Sequence, residues 1–349
     1  MERISPSFLG IHIAQQLLQR GFHIRCPVRS VDKGNYLRRF FLKQGFGSNV
    51  FEYVIVEDMQ KEGVFDLFLN DVDAIVHTAS PVHMNKVDPW KGVINPAVQG
   101  TLNILRSAAK NPRIKRVVYT SSIAAVVSNT KVSPYTYTER DWNDEAVQKV
   151  EEGKDVDPTT AYRASKTLAE RTAWKFFLNE KTTFDLVTIC PPLIFGPLLH
   201  DVPSPSSLNV SINFFYQYLL GNKTNDDAIQ PAFGWVDVRD VARCHVKALL
   251  REKAGGKRFL VSTDSFTYQL LLDVLSLPHN LPLLRFFPNA TKGHPGTPKP
   301  LSKLDIFEST PAKELLGYEE PIGLERCARD MMRCLIRIHM GVTKLKGKL

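Results

Sequence analysis

The feature that most constrains the fold of this chain is an alternation of strand-like runs with helix-like segments along its first 190 residues. Short apolar runs rich in β-branched and aromatic residues, typical of strands, occur at residues 22–28, 51–56, 73–78, 116–120 and 184–190. Segments with helical spacing of apolar residues occur at residues 9–20, 66–69, 90–110 and 161–178. This alternation predicts a parallel sheet covered by helices on both faces, with right-handed crossovers. The expected fold class is therefore α/β, a doubly wound parallel sheet.

Three side chains in this pattern indicate chemistry. Residues 161–178 contain neither proline nor glycine, so Tyr162 and Lys166 stand about one turn apart on one helical face. A phenol has an ordinary pKa of about 10, and a neighbouring ammonium group lowers it toward neutrality. Ser122 follows the strand-like run 116–120 and can hold a substrate oxygen while Tyr162 donates a proton. Together the three predict a carbonyl-reducing active site that uses no metal.

The surrounding sequence resembles a known family in several separate blocks. They lie, in order, at residues 77–81, 100–105, 117–122, 139–143, 162–166, 190–197 and 235–241. From about residue 9 to about residue 336, the chain resembles an extended short-chain dehydrogenase/reductase of the dihydroflavonol reductase, cinnamoyl-CoA reductase and fungal aldehyde/ketone reductase branch. The resemblance implies a Rossmann-type NADP-binding domain at residues 1–190. It implies a mainly substrate-binding lobe at residues 191–349, with some segments returning to the first domain.

The same resemblance implies an activity and a role for each catalytic candidate. The expected reaction is hydride transfer from NADPH to an aldehyde or ketone. Ser122 and Tyr162 would hydrogen-bond the carbonyl oxygen, and Tyr162 would donate the proton. Lys166 would lower the Tyr162 pKa and hold the nicotinamide ribose. The expected partner is therefore a small-molecule carbonyl substrate, bound by a monomer or a homodimer.

The end of the strand-like run 22–28, which corresponds to the second strand of a dinucleotide-binding fold, favours NADP(H) over NAD. In a dinucleotide-binding fold an acidic residue at this place accepts from the ribose 2′-hydroxyl of NAD, whereas arginine accommodates a 2′-phosphate. This chain has Arg29 there and no acid. The family resemblance adds Lys33 as a second phosphate ligand.

Further contacts are implied by the resemblance alone. The cofactor would also meet the following residues: Gly10, Asp58, Met59, Thr78, Ala79, Tyr162, Lys166, Pro191 and Leu193. The run 191–197 is expected to be a rigid proline-containing turn that holds the nicotinamide carboxamide. Three apolar residues, Val82, Val127 and Phe195, suggest a hydrophobic substrate pocket.

Composition limits the other possible functions. With 43% hydrophobic and 23% charged residues, a chain of 349 residues can bury a full core. The net charge of +9 is spread along the chain, apart from a short basic tail, so we expect no nucleic-acid partner. Five cysteines without a CxxC spacing indicate neither a zinc site nor a disulfide framework, and hence a reducing compartment. No apolar run is long enough for a membrane span, so we expect a cytoplasmic protein without a membrane partner.

The first residues depart from the family pattern. In the family the first strand runs into a T-G-x-x-G-x-x-G turn whose glycines let the backbone approach the pyrophosphate. Only the last glycine, Gly10, is present, and Ile4 and Ser7 stand at the other two positions. Either the start is truncated or cofactor affinity has been lost. Because the first strand is central in such a sheet, we expect the chain to be poorly soluble or to bind NADPH weakly until such a strand is added.

Three other functions are compatible with parts of the pattern. A nucleotide-sugar epimerase or dehydratase would retain Tyr162 and Lys166, but dehydratases place carboxylates after the serine, where this chain has the apolar residues 123–125. A 3β-hydroxysteroid dehydrogenase-like enzyme is not excluded by these residues. A catalytically impaired NADP-binding protein would explain the altered glycine turn, although the intact serine, tyrosine and lysine argue against it.

Overall fold

The computed structural model describes residues 8–79, 88–153, 156–297 and 304–341. Its strands are β1 (Ile24–Val28), β2 (Phe51–Ile55), β3 (Ala74–His77), β4 (Arg116–Thr120), β5 (Thr136–Tyr137), β6 (Asp185–Cys190), β7 (Leu193–Phe195), β8 (Gly234–Asp237), β9 (Arg258–Leu260), β10 (Asp264–Ser265) and β11 (Ile306–Phe307). Its helices are α1 (Phe8–Leu18), α2 (Val31–Lys43), α3 (Asn95–Ala109), α4 (Asp144–Glu151), α5 (Pro158–Asn179), α6 (Val210–Leu219), α7 (Asn225–Ile229), α8 (Val238–Leu250), α9 (Tyr268–Leu275), α10 (Leu281–Leu284), α11 (Thr310–Leu316) and α12 (Leu324–His339). The predicted strands and long helices are confirmed, whereas the predicted helix at residues 66–69 is a single 3₁₀ turn, Asp66–Phe68.

The largest sheet has the parallel strand order β3-β4-β6-β9. Alternate side chains of β4 pack on opposite faces: Val117 and Tyr119 lie in the apolar cluster with α3, and Val118 lies in the cluster with α8. Both faces of the sheet are therefore buried, which explains why β4 is apolar without interruption. This confirms the predicted α/β class. It also places β9, from beyond residue 190, in the main sheet.

A second, two-stranded parallel sheet is formed by β1 and β2. In the part of the chain that the structure describes, β1 pairs only with β2 and β3 pairs only with β4, so each of these two strands has one edge without a partner strand. Helix α1 connects the two sheets, because Ile11 and Leu18 pack with β1 and α2 while Leu9 and Ile13 pack in the cluster of the main sheet. In the doubly wound order the central first strand pairs with the strands that correspond to β1 and β3.

The remaining strands form two small sheets. Strands β10, β8 and β7 make a three-stranded sheet, and β11 pairs with β5. The prediction of a turn at residues 191–197 is wrong in part, since Leu193–Phe195 is a strand that pairs in parallel with β8. Ladder hydrogen bonds to a distant segment outweigh the turn preference of the flanking prolines.

Candidate active site

Ser122 lies just beyond the carboxyl end of β4, two residues after Thr120. It is the N-cap of the short turn Ile123–Ala125, where the Ala124 amide donates to the Ser122 Oγ at 3.1 Å. The Ser122 hydroxyl donates in turn to the carbonyl oxygen of Pro191, 3.5 Å away, just after β6. The serine therefore stands at the carboxyl edge of the parallel sheet, where doubly wound proteins bind their ligands.

Tyr162 reaches the same place from the beginning of α5. A hydrogen bond with the Ser122 side chain lowers the pKa of Tyr162, but burial has the larger effect and raises the pKa overall. The expectation of a lowered Tyr162 pKa is therefore wrong for the protein alone, because desolvation of the phenolate outweighs the hydrogen bond. A raised pKa keeps Tyr162 protonated at neutral pH, and the protonated phenol is the form that can donate.

Lys166 is buried one turn after Tyr162, with its Nζ 5.9 Å from the centre of the Tyr162 ring. Burial lowers the pKa of Lys166 to about 8, and interactions with Cys190 and Glu170 oppose that effect. At neutral pH most Lys166 side chains are therefore charged. The structure thus brings together the three predicted catalytic residues, Ser122, Tyr162 and Lys166.

Two charged residues that the sequence analysis missed lie behind this group. Glu170 and Arg258 form a buried ion pair with a 2.8 Å separation between Oε1 and Nε. The hydroxyl of Ser121, the neighbour of Ser122, donates to Glu170 at 2.6 Å. The signal for Glu170 was its position four residues after Lys166 on α5. No local signal marked Arg258, because it comes from β9.

Arg29 and Lys33 stand at the carboxyl end of β1, as predicted. Burial lowers the pKa of Arg29, and nearby Asp58, which follows β2, opposes this. The Nζ of Lys33, in the first turn of α2, is 3.1 Å from a carboxylate oxygen of Asp201. Two cations at one strand end fit an anionic cofactor group such as a 2′-phosphate, which would compete with Asp201 for Lys33.

The other predicted cofactor residues follow the carboxyl ends of strands or begin a helix. Gly10 lies in the first turn of α1, and Thr78 and Ala79 directly follow β3. Pro191 is buried and Leu193 is half-buried, and both lie beside the Ser122 end of the sheet. The backbone of the first turn of α1 and the edge of the sheet can therefore meet a dinucleotide.

Met59 has a packing role that the sequence analysis did not foresee. It is buried in the cluster beneath α3, and a Cβ atom added at Gly100 would lie 2.7 Å from its Cε. Its carbonyl accepts from Asn103 at 3.0 Å. The Met59 side chain thus anchors the β2 end against α3, while the neighbouring Asp58 side chain is exposed.

The three residues predicted to line a substrate pocket differ in their surroundings. Val127 lines a cavity of about 280 Å³ together with Phe233. The prediction for Phe195 is wrong: its side chain is fully buried and packs against Phe266, with ring centres 5.3 Å apart. Pairing of β7 with β8 brings Phe195 into the core. Val82 lies outside the described residues.

Three further findings concern membrane spans, metal sites and disulfides in the described residues. Within the described ranges, no helix is long and apolar enough to cross a membrane. Nor do those ranges contain a group of three or more histidine, cysteine, aspartate or glutamate side chains that could hold a metal ion. The five cysteines are free thiols.

Comparisons with known proteins agree with this architecture. A parallel sheet with helices on both faces is typical of a Rossmann-type protein. A model of the 3-beta hydroxysteroid dehydrogenase/isomerase family matches residues 5–266, and the chain belongs to that family of oxidoreductases. The predicted resemblance to extended short-chain dehydrogenases/reductases is thereby confirmed.

Individual relatives cover most of the chain. A ketoreductase from Aspergillus niger, azaE, is 37% identical over 277 residues, which are 78% of this chain and 80% of that protein. A putative NADPH-dependent methylglyoxal reductase from Candida albicans, GRP2, is 32% identical over 327 residues, 90% of this chain and 92% of that protein. The solved structure of yeast methylglyoxal/isovaleraldehyde reductase Gre2 complexed with NADPH has a TM-score of 0.83 at 30% identity, covering 96% of this chain and 97% of that one.

Proposed function

We propose that this protein is an NADPH-dependent reductase of small aldehydes or ketones. The observation that carries the proposal is the meeting of the Ser122 and Tyr162 side chains at the carboxyl edge of the sheet, with Lys166 buried one turn further along α5. The relatives described above support it, since two of them are named as NADPH-dependent or NADPH-bound carbonyl reductases.

The chain offers residues that would hold the cofactor. Arg29 and Lys33 would bind the 2′-phosphate, the first turn of α1 at Gly10 would meet the pyrophosphate, and Lys166 would bind the nicotinamide ribose. The residues after β3 and β6, Thr78, Ala79, Pro191 and Leu193, would line the remainder. When bound, NADPH supplies the hydride.

Each catalytic candidate has a role in the reduction. Ser122 and Tyr162 hydrogen-bond the carbonyl oxygen and so stabilise the negative charge that develops on it. Tyr162 gives its phenolic proton to that oxygen as the carbonyl carbon receives the hydride, so the products are an alcohol and NADP⁺. The Lys166 ammonium stabilises the resulting tyrosinate until solvent returns the proton.

The proposal predicts a specific effect of Tyr162→Phe. NADPH oxidation is followed with methylglyoxal, isovaleraldehyde, diketones and flavanonols. Removal of the phenolic proton should lower turnover by about 10²-fold or more while NADPH affinity stays nearly intact. Lys166→Met should impair both, because it serves the tyrosine and the ribose. Tyr216→Phe is the matched control, since this buried tyrosine of α6 bonds only His339 among the described side chains.

The outcomes separate the proposal from its competitors. Near-normal turnover by Tyr162→Phe would remove Tyr162 from the role of proton donor. A wild-type chain that binds NADPH yet reduces none of these carbonyls would favour an impaired NADP-binding protein.

A second candidate is a 3β-hydroxysteroid dehydrogenase-like enzyme, which the description of the matching family favours. The same three residues would then act in the oxidative direction, with Tyr162 accepting the proton of the 3β-hydroxyl group. Oxidation of a 3β-hydroxysteroid with NADP⁺ or NAD⁺, at a higher kcat/KM than any carbonyl substrate in the reductive direction, would establish it instead.

A further inference from the structure

Glu170 and Arg258 form a charged network inside the protein. The Glu170 side chain is completely buried, and Arg258 is almost so. Arg258 donates to both carboxylate oxygens of Glu170, at 2.8 and 3.1 Å. Removing two charges from water costs free energy unless their geometry and their other hydrogen bonds compensate. A buried ion pair is therefore weak evidence for stability, and we ask what else this pair does.

The network joins four segments around the candidate active site. Glu170 lies on α5 and accepts from Ser121, which directly precedes Ser122. Arg258, on β9, also donates to the carbonyl oxygens of Glu139 and Asp141, at 2.9 and 2.6 Å. Its guanidinium group lies 3.8 Å from the centre of a Trp142 ring. The serine end of β4, the tyrosine helix α5 and the segment 139–142 are therefore tied to one point.

We propose that Glu170 is a positioning residue for the Ser122, Tyr162 and Lys166 site, held in place by Arg258. It fixes the backbone before Ser122 through Ser121, and its carboxylate keeps the buried Lys166 ammonium charged. The inference rests on the proposed reductase function and deepens it.

The charges that face Lys166 support the electrostatic part. In the described part of the chain, the titratable groups that interact with it are Tyr162 on its own helix, His77 from β3, Cys190 from β6 and Glu170. Burial raises the pKa of Cys190 to about 12 and lowers the pKa of His77 to about 4, so neither carries a charge at neutral pH. Among these described neighbours, Glu170 is the one that supplies a negative charge.

The chain contains a second network of the same design that provides a control. Arg116 on β4 donates to both carboxylate oxygens of Asp185, each at 2.6 Å, and to the carbonyl oxygens of Ala248 and Glu252. It too ties neighbouring segments together through one carboxylate. Asp185, however, is not among the groups that act on Lys166.

The first test compares Glu170→Gln with Asp185→Asn. Both leave a partly or fully buried arginine without its carboxylate. The pH dependence of kcat/KM is measured with NADPH and the best carbonyl substrate of the wild-type protein. Activity falls as pH rises through the Lys166 pKa, because the ammonium is lost. Glu170→Gln should move this fall to lower pH by about one unit, whereas Asp185→Asn should leave it in place. An unmoved profile in Glu170→Gln would overturn the electrostatic role.

The second measurement does not depend on activity. Lys166 is titrated by NMR in protein labelled with ¹³C and ¹⁵N at lysine, and Lys166→Met identifies its signal. The Lys166 pKa should be lower in Glu170→Gln than in wild type and should recover in Glu170→Asp, which restores the charge. An equal Lys166 pKa in all three proteins would overturn the inference even if the proposed reductase function fails. Absence of NADPH-dependent turnover in wild type, with a shifted Lys166 pKa, would count against the reductase function alone.

Ser121→Ala tests whether Glu170 positions Ser122 through Ser121. This variant can be used even if Glu170→Gln does not fold. It removes the hydrogen bond to Glu170 while keeping the charge. We expect kcat to fall roughly tenfold with the same pH profile and the same KM for NADPH. A wild-type kcat in Ser121→Ala would show that Glu170 does not position Ser122.

Discussion

At the scale of single residues, the surroundings of Arg29 and Lys33 bear on cofactor choice. Both cations lie where β1 ends, and Lys33 is paired with Asp201 from the segment after β7. Lys33 is therefore engaged by a carboxylate that an incoming phosphate must displace. Arg29 interacts with Asp58, which follows the adjacent strand. Because a guanidinium group binds a phosphate through two parallel hydrogen bonds, Arg29 is the stronger candidate for discriminating between the two cofactors.

Arg29→Ala should accordingly weaken NADPH binding much more than NADH binding. Loss of charge-assisted hydrogen bonds worth about 1.5–3 kcal/mol corresponds to a rise in the NADPH Kd of roughly ten- to a hundredfold. Titration calorimetry with each cofactor measures it. Arg39→Ala, an exposed arginine on α2, is the control for general electrostatic attraction. Equal losses for NADPH and NADH would show that Arg29 has only a structural role.

At the scale of one element, α5 carries three of the residues discussed above, Tyr162, Lys166 and Glu170. Its beginning is defined by two neighbouring residues. Asp157 is the N-cap, and its carboxylate accepts from the amides of Thr159 and Thr160 at 2.9 and 3.1 Å. Pro158 occupies the first helical position, where its missing amide hydrogen costs nothing. Tyr162 follows within the next turn, so fraying of this end would loosen the candidate proton donor.

Asp157→Ala should lower the free energy of unfolding by about 1 kcal/mol, because two helix amides lose their acceptor. Asp157→Asn keeps a side-chain oxygen in the same place and should stay close to wild type. Urea unfolding followed by circular dichroism distinguishes the two variants. If alanine and asparagine are equally destabilising, the carboxylate charge and not the cap is responsible.

At the scale of the whole molecule, buried histidines determine how stability responds to acid. Four of them, His12, His77, His200 and His245, have a pKa lowered to about 4, and burial is the largest cause for each. In the unfolded chain a histidine has a pKa of about 6.5. Between these values the unfolded state binds more protons than the folded state, so stability decreases as pH falls.

We therefore expect the free energy of unfolding to drop as the pH is lowered from 6.5 to 4, with unfolding coupled to uptake of up to four protons by these side chains. Urea titrations at several pH values give the slope of the free energy of unfolding against pH. His245→Gln should reduce it, because this histidine is fully buried between Thr120 and Val241. The matched control is His279→Gln, since His279 is exposed and pairs with Glu325. A slope unchanged by His245→Gln would contradict the argument.

The sequence by itself determined the features that depend on short-range regularity. The alternation of strands and helices, and so the parallel sheet, follows from apolar spacing within each segment. The i, i+4 relation of Tyr162 and Lys166 follows from helix geometry, and Arg29 follows from its place after a strand.

Only the tertiary structure decided which distant segments meet. It brought Ser122 beside Tyr162, joined Glu170 to Arg258 across 88 residues, and drew Phe195 into the core through strand pairing. It also reversed the expected direction of the Tyr162 pKa shift. These outcomes depend on burial and on partners remote in the chain, and the free energy of desolvation at a site is unknown until the packing around it is complete.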